Sequence, residues 1–298
     1  MKRRAIFRQL HTRKVSSVAY LQETYSSKEQ EKIWSAEWGG KIYFNHGSKH
    51  SKGVAILFDP KLTVTVKKEI KSDDGRIIIL ETNIDDEISV LANIYAPNNI
   101  HAQLRFFKKL SEMLRNYANS LIFIGGDFNC PLSNGEDKKG GQDLSSKKNV
   151  ITRIKQLMGS FDPVDVWRYL NPRENQFTWS SSDLKVKCRL DYWLISRDIL
   201  RIVDSSEIEV FPYCDHLQVT LLINGVKQHP RGPGYWKFNA SLLEDKNFVE
   251  QVSTKIPGFI NQYQGVADKG LLWELVKMEI RAYTINFSKQ GAKQQKKR

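Results

Sequence analysis

Cysteine is scarce in this chain. Its three thiols, Cys130, Cys188 and Cys214, are an odd number with no Cys-x-x-Cys spacing in 298 residues. That excludes a disulfide framework and a zinc knuckle, and points to reduced thiols in cytosol or nucleus. Long apolar runs are missing as well: the longest span a few residues, against the roughly 20 needed to cross a bilayer. The basic start, Met1-Lys2-Arg3-Arg4, is broken by Arg8, His11 and Arg13 before an apolar core can form, so no secretory signal is expected. No fixed-period repeat is present.

What remains is the profile of a folded, basic protein. Hydrophobic residues make up 40% and charged residues 27%, close to the globular average, and the length suits one large domain or two ordinary ones. Lysine and arginine number 46 against 33 acidic residues, a net +13. That surplus favours a polyanionic partner, nucleic acid or an anionic membrane surface, without choosing between them. Residues 226–298 hold 13 basic and 6 acidic side chains, so a quarter of the chain carries over half the surplus.

Short β-branched and aromatic runs bounded by turn residues predict strands at 18–22, 41–44, 53–58, 62–66, 76–82, 88–93, 121–124, 176–179, 192–195, 208–211 and 218–223. Helices are expected at 3–10, 28–37, 102–118, 148–158 and 164–169. The clearest carries Leu104, Phe107, Leu110, Leu114 and Tyr117 on one stripe. Together these predict an α+β layered sandwich, two sheets face to face with helices outside. Residues 134–149 read as a long polar surface loop. Asn224-Gly225 and the Pro/Gly segment 229–234 mark a boundary, giving a main domain over 1–225 and a basic tail over 226–298 with helices near 241–253 and 271–287.

Four places set acidic or imidazole groups beside the ends of apolar strands: Glu23, Asp127 with Asn129, Asp191, and Asp215-His216. Taken singly, each reads as a solvated loop residue, a turn residue or a structural histidine, and Asp191 could simply pair with Arg189. Combined, strand ends on one side of a sandwich converge on one rim. Several carboxylates there repel each other unless a hard divalent cation neutralises them, and oxygen ligands without cysteine point to Mg²⁺, with Mn²⁺ as an alternative. Glu23 and Asp215 are natural ligands, with His216 beside them. Asp127 suits a proton acceptor for an attacking water, Asn129 an N–H donor to a phosphate oxygen, and His216, oriented by Asp191, a stabiliser of developing phosphoryl charge.

The same residues carry a family resemblance. Leu21-Gln22-Glu23-Thr24, Tyr95-Ala96-Pro97-Asn98, Gly126-Asp127-Phe128-Asn129, Phe177-Thr178-Trp179, Arg189-Leu190-Asp191-Tyr192 and Asp215-His216 resemble, in order, signatures of the endonuclease/exonuclease/phosphatase superfamily. Glu31-Lys32-Ile33-Trp34, Trp38-Gly39-Gly40-Lys41, Ser51-Lys52-Gly53-Val54-Ala55-Ile56-Leu57 and Gly234-Tyr235-Trp236-Lys237-Phe238-Asn239 look most like the apurinic-type endonuclease domain of LINE-type retrotransposon polyproteins. The chain is also similar to exonuclease III and abasic-site endonucleases.

The resemblance implies a four-layered α/β/β/α sandwich with two mixed sheets, Glu23 as a metal ligand, Tyr95 on the phosphate, and Thr178 and Asn98 in the substrate wall. It also implies a Mg²⁺-dependent phosphodiester hydrolase acting on DNA, monomeric and nuclear, in a polypeptide that continues into a reverse transcriptase. Two features depart from it. The first strand, which carries an Asn in the family, is not expected before the Lys/Arg-rich first helix, and Cys214 stands where related retroelement proteins have Ser. A truncated, catalytically impaired fragment that only binds nucleic acid is the alternative, and an inositol or lipid phosphatase a third. His46 and His50, four apart, are not expected to bind zinc, because Gly47 and the flanking strand pattern oppose a helix.

Overall fold

Helix α1 (Lys2–His11), strand β1 (Val18–Gln22), helix α2 (Glu31–Trp38) and strands β2 (Ile42–Asn45) and β3 (Val54–Phe58) form the first part of the chain. Strands β4 (Val64–Lys71), β5 (Ile77–Ile84) and β6 (Glu87–Tyr95) precede α3 (Ile100–Leu114) and β7 (Leu121–Asp127). After β8 (Lys138–Lys139) come α4 (Lys148–Phe161), β9 (Pro163–Asp165) and α5 (Val166–Leu170). The short β10 (Trp179–Ser180) and β11 (Lys187–Cys188) lead to β12 (Asp191–Ser196), β13 (Val203–Glu209) and β14 (Gln218–Ile223). In this computed structural model the described residues are 2–12, 17–48, 51–84, 87–117, 120–211, 214–224, 238–265 and 268–295. His50 and residues 225–237 and 296–298 lie outside them, and with them part of the Gly234–Asn239 motif. The chain divides into two compact units, Met1–Lys227 and Gln228–Arg298.

Period-two burial builds the first unit as four layers. On β3, Val54, Ile56 and Phe58 face Ile78, Leu80 and Leu91 of the neighbouring sheet. Ala55 and Leu57, on the other side of the same strand, pack under Phe7 and Leu10 of α1 and Trp34 and Trp38 of α2. On β5 and β6, Ile77, Ile79, Val90, Ala92 and Ile94 turn the opposite way, onto Phe107, Leu110 and Leu114 of α3 and Val150, Ile154 and Leu157 of α4. Fully apolar strands such as β3 result from cover on both faces. Trp34, Trp38 and Phe44 are buried in the core of this layer.

The larger sheet runs β4-β5-β6-β7-β12-β9 and is mixed, because β6 and β7 are parallel. The second layer departs from expectation. Among the described residues it is not one mixed sheet but an antiparallel β1-β3-β2 part and a separate β13-β14 pair. Among the described residues β1 is bonded only to β3 and β14 only to β13, so each keeps one edge outside any ladder. No helix among the described residues is long and apolar enough to cross a membrane.

The stretch expected as a surface loop, 134–149, is mostly exposed, as expected, but pinned from within. It forms β8, which pairs with β11, and Asp137 within it is 2% exposed. The anchor is Arg189, 1% exposed. Its Nε donates to Asp137 Oδ1 (2.7 Å), and its two terminal nitrogens donate to both Asp165 oxygens (3.0 and 2.6 Å). The guanidinium also lies over the rings of Tyr192 and Trp167. Arg189 therefore does not pair with Asp191.

In the second unit, α6 (Lys246–Gln262) and α7 (Lys269–Gln295) close around Phe248, which meets Phe238, Tyr283 and Phe287. Helix α6 runs on past 253 through Pro257, at the loss of one backbone bond.

Breaking a buried ion pair leaves uncompensated charge and costs about 3–5 kcal/mol. Arg189→Met, which removes both guanidinium bonds to Asp165 and leaves Asp137 with Arg168 alone at 3.1 Å, is expected to lose that much stability in urea unfolding followed by tryptophan fluorescence. A loss below about 1 kcal/mol would contradict the role given to this network.

Candidate active site

Three neighbouring strands end in one polar row. Parallel pairing sets Tyr95 opposite Asp127, and antiparallel pairing sets Asp191 opposite Asp127. Residues in register share a face of the sheet, so the Tyr95, Asp127 and Asp191 side chains stand side by side. Gly126 makes this possible: it has φ +129°, and a Cβ there would lie 2.1 Å from Ile94 O. From the opposing sheet, Glu23 follows the end of β1 with φ 51°. The Tyr95 hydroxyl donates to Glu23 Oε1, and the Tyr25 hydroxyl donates to Oε2 at 3.0 Å.

His216 closes the row. Its Nδ1–H donates to Asp191 Oδ2 at 2.8 Å, leaving Nε2 free to face a ligand. Asn129, with φ 49°, gives its backbone N–H to Asp127 Oδ1 (2.8 Å) and one Nδ2 proton to Ala96 O (2.7 Å). Its carbonyl is held by Gln103 Nε2 and Lys147 Nζ at 2.9 and 2.6 Å. One Asn129 amide proton and one Asp127 oxygen thus remain directed at the site.

Charge crowding tunes these groups. Burial, then the nearby Asp191 carboxylate, push Asp127 far above the usual carboxylate range, against the pull of His216 and the Asn129 N–H. Burial draws the His216 imidazole down, but the hydrogen bond and charge of Asp191, with Asp127 and Asp215, outweigh it and raise it to about 9. Burial and the Glu23 hydrogen bond lift the Tyr95 hydroxyl, so it stays a donor.

The row brings together Tyr95, Asp127, Asn129, Asp191 and His216. The expected ligand set Glu23, Asp215 and His216 is not the group that converges. Ligand atoms of Asp127, Asp191 and His216 lie within 4.8 Å of one another, because strand register joins the two aspartates. Glu23 and Asp215 are exposed and border the group, near enough to raise Asp127 and His216 respectively. With Nδ1–H given to Asp191, His216 presents Nε2 to the row. The oxygens of Glu23, Asp127 and Asp191, with no thiol among them, suit a hard divalent cation.

Thr178 is fully buried and out of reach of a substrate. Asn98 is exposed and lines a neighbouring cleft with Asn99, His101, Ser146 and Asn149. His46 is engaged by Ser26 and Glu31, at 2.9 and 2.8 Å.

Two supporting residues went unread in the sequence. The Arg76 guanidinium lies 4.7 Å from the Tyr95 ring centroid and donates to Tyr95 O. Asn93 is fully buried between the sheets, where alternation along β6 calls for an apolar side chain. Its Nδ2 donates to Leu21 O and Ala55 O, and its Oδ1 accepts from Gln22 Nε2. Asn93 thereby fixes β6, two residues before Tyr95, to β1, two residues before Glu23. An amide at 93 in an otherwise apolar run was the available signal.

A four-layered sandwich with an acidic, amide and imidazole row at the strand ends defines a phosphoester-hydrolase type of site. Residues 5–213 match the Endonuclease/Exonuclease/phosphatase family, and the chain belongs to that family. It is 31% identical over 276 residues to the Transposon TX1 uncharacterized 149 kDa protein of Xenopus laevis, a match covering 92% of this chain and 21% of that protein. The chain thus spans about a fifth of that relative's length.

Among solved structures it is similar to the AP endonuclease LMAP from Leishmania major, with TM-score 0.62, 15% identity, and 74% of this chain and 81% of that one covered. The Xenopus laevis APE2 catalytic domain gives TM-score 0.62 at 19% identity, covering 75% and 88%. The 3′ phosphatase NExo from Neisseria bound to a product DNA hairpin gives 0.58 at 15%, covering 73% and 92%. At these identities the likeness establishes the shared fold.

The His216 shift has a definite sign. A folded value of about 9 against about 6.5 when unfolded makes the Asp191–His216 pair fully stabilising below 6.5, with that contribution lost as pH rises through 9. In the metal-free protein, the His216 ring is expected to titrate near pH 9 by ¹⁵N NMR and to fall by more than about one unit in Asp191→Asn. A midpoint near 6.5 in the wild type would contradict the pairing.

Proposed function

We propose that this chain is a Mg²⁺-dependent phosphodiester hydrolase that nicks DNA, acting as the endonuclease module of a retroelement polypeptide. The observation that carries the reading is the row Tyr95, Asp127, Asp191 with Asn129 and His216, set on a chain of net +13. Polyanion affinity follows from the charge. The family assignment and the likeness to AP endonucleases support DNA as the substrate.

Asp127 is the proton acceptor. Its raised affinity for protons, set by burial and Asp191, matches a base working near neutral pH, and Asn129 N–H occupies one oxygen so that the other meets the water. The water oxygen attacks phosphorus, its proton passes to Asp127, and the phosphorus–oxygen bond to the leaving sugar breaks, the sugar oxygen taking a proton from solvent. His216, protonated and aligned by Asp191, donates from Nε2 to a non-bridging oxygen as charge builds there. The free Asn129 amide proton serves a second oxygen. Tyr95 keeps Glu23 turned toward the site. Mg²⁺ or Mn²⁺ would be held by Glu23 and the Asp191 oxygen not bonded to His216, and would supply Lewis-acid polarisation of the phosphate.

Purified protein with Mg²⁺ is expected to convert supercoiled plasmid to nicked circles, with the activity removed by EDTA. Asp127→Ala is expected to slow nicking by at least about 10²-fold. Equal nicking by the variant, or release of inorganic phosphate from inositol phosphates without DNA cleavage, would overturn the proposal.

A further inference from the structure

The Asp191–His216 pair is assembled from two segments that share no ladder. Asp191 opens β12 in the six-stranded sheet, while His216 precedes β14 in the separate two-stranded pair. Among the described residues no ladder sets the 2.8 Å between Asp191 Oδ2 and His216 Nδ1; farther along the same strands Trp193 Nε1 donates to Val219 O at 2.8 Å.

Next to the pair itself, Thr178 binds both segments. The Thr178 N–H donates to Cys188 O at 3.0 Å. Its hydroxyl oxygen accepts from Leu190 N–H at 2.9 Å and from Asp191 N–H at 3.3 Å. Its carbonyl accepts from Leu217 N–H at 2.7 Å, so the residue after His216 is held by the residue that holds Asp191. Trp179 extends the same link, pairing with Cys188 in β10–β11 and with His216 in an isolated bridge.

The side chain is suited to this work. The Leu190 N–H it accepts is buried, so without Thr178 Oγ1 that donor would be left unpaired. Its β-branch restricts χ1 and keeps Oγ1 on those two donors. Full burial removes it from the substrate, which separates this role from the phosphate contacts of Asn129 and His216.

We propose that Thr178 is a positioning residue that sets the Asp191–His216 hydrogen bond by clamping the backbone on both sides of it. This rests on the reading of the site as a phosphodiesterase, and the test is chosen to separate the two. Thr178→Val keeps the shape and removes the acceptor; Thr178→Ser keeps the acceptor. In the resting protein, the downfield ¹H–¹⁵N signal of His216 Nδ1–H is expected in wild type and Thr178→Ser, and is expected to be broadened or lost in Thr178→Val.

In plasmid nicking, Thr178→Val is expected to lose about 10²-fold in kcat, the scale of a 1 Å misplacement, with KM unchanged. Thr178→Ser is expected to retain kcat to within about threefold, because its acceptor still orders the pair. A Thr178→Val protein with the signal intact and kcat unchanged, whatever its Tm, overturns the proposal. So does a rise in KM at constant kcat, which would mark a substrate contact. If Thr178→Val does not fold, the Ser variant decides: a folded Ser protein that has lost the signal overturns the clamp. A wild type that carries the signal but cuts no DNA would overturn the phosphodiesterase reading and leave the clamp to stand on the resonance.

Discussion

The site depends on two carboxylates held one strand apart. Asp127 and Asp191 face each other because β7 and β12 pair antiparallel in that register, and the ladder gives neither freedom to withdraw. Like charges at such spacing favour one retained proton or a bound cation. Each neighbouring group answers that pressure: the Asn129 N–H takes one oxygen of Asp127, the His216 imidazole takes one oxygen of Asp191, and Arg76 stacks on Tyr95 nearby.

The opposing sheet must deliver Glu23 to the same rim, and two sheets packed face to face can slide. Asn93 opposes the slide with three hydrogen bonds across the interface. An amide in that position is stabilising only while every partner is in place, so it selects one alignment of the layers. Apolar contacts alone, which are not directional, would allow several.

The elements carrying chemistry were largely legible. An apolar run broken by an acidic residue marks a strand end, which is how Glu23, Asp127 and Asp191 stand out, and β1 and β14 fall where alternation puts them. The partners of buried polar groups were not legible. Whether Arg189 meets Asp191, two residues away, or Asp137 and Asp165, far off in sequence, is decided by tertiary burial, and the structure chose the distant pair. The same holds for Asp137, a buried anchor within the mostly exposed loop 134–149. Thr178 shows the limit of motif reading: its place in a motif pointed to substrate, but its hydroxyl faces backbone. The division of the second layer into separate antiparallel parts left no mark in residue patterning, since each strand keeps its own alternation whichever neighbour it has.

Asn129 adopts a left-handed backbone conformation, φ 49°, with consequences for which residues that position can hold. β-Branched residues are nearly barred from it by steric clash. Glycine fits the backbone but has no amide to offer a phosphate. Aspartate enters that region as readily as asparagine, yet would add a third negative charge to Asp127 and Asp191. Backbone geometry excludes one group of replacements and local charge excludes the other, so asparagine is fixed there by two constraints that act independently and would have to be relieved together.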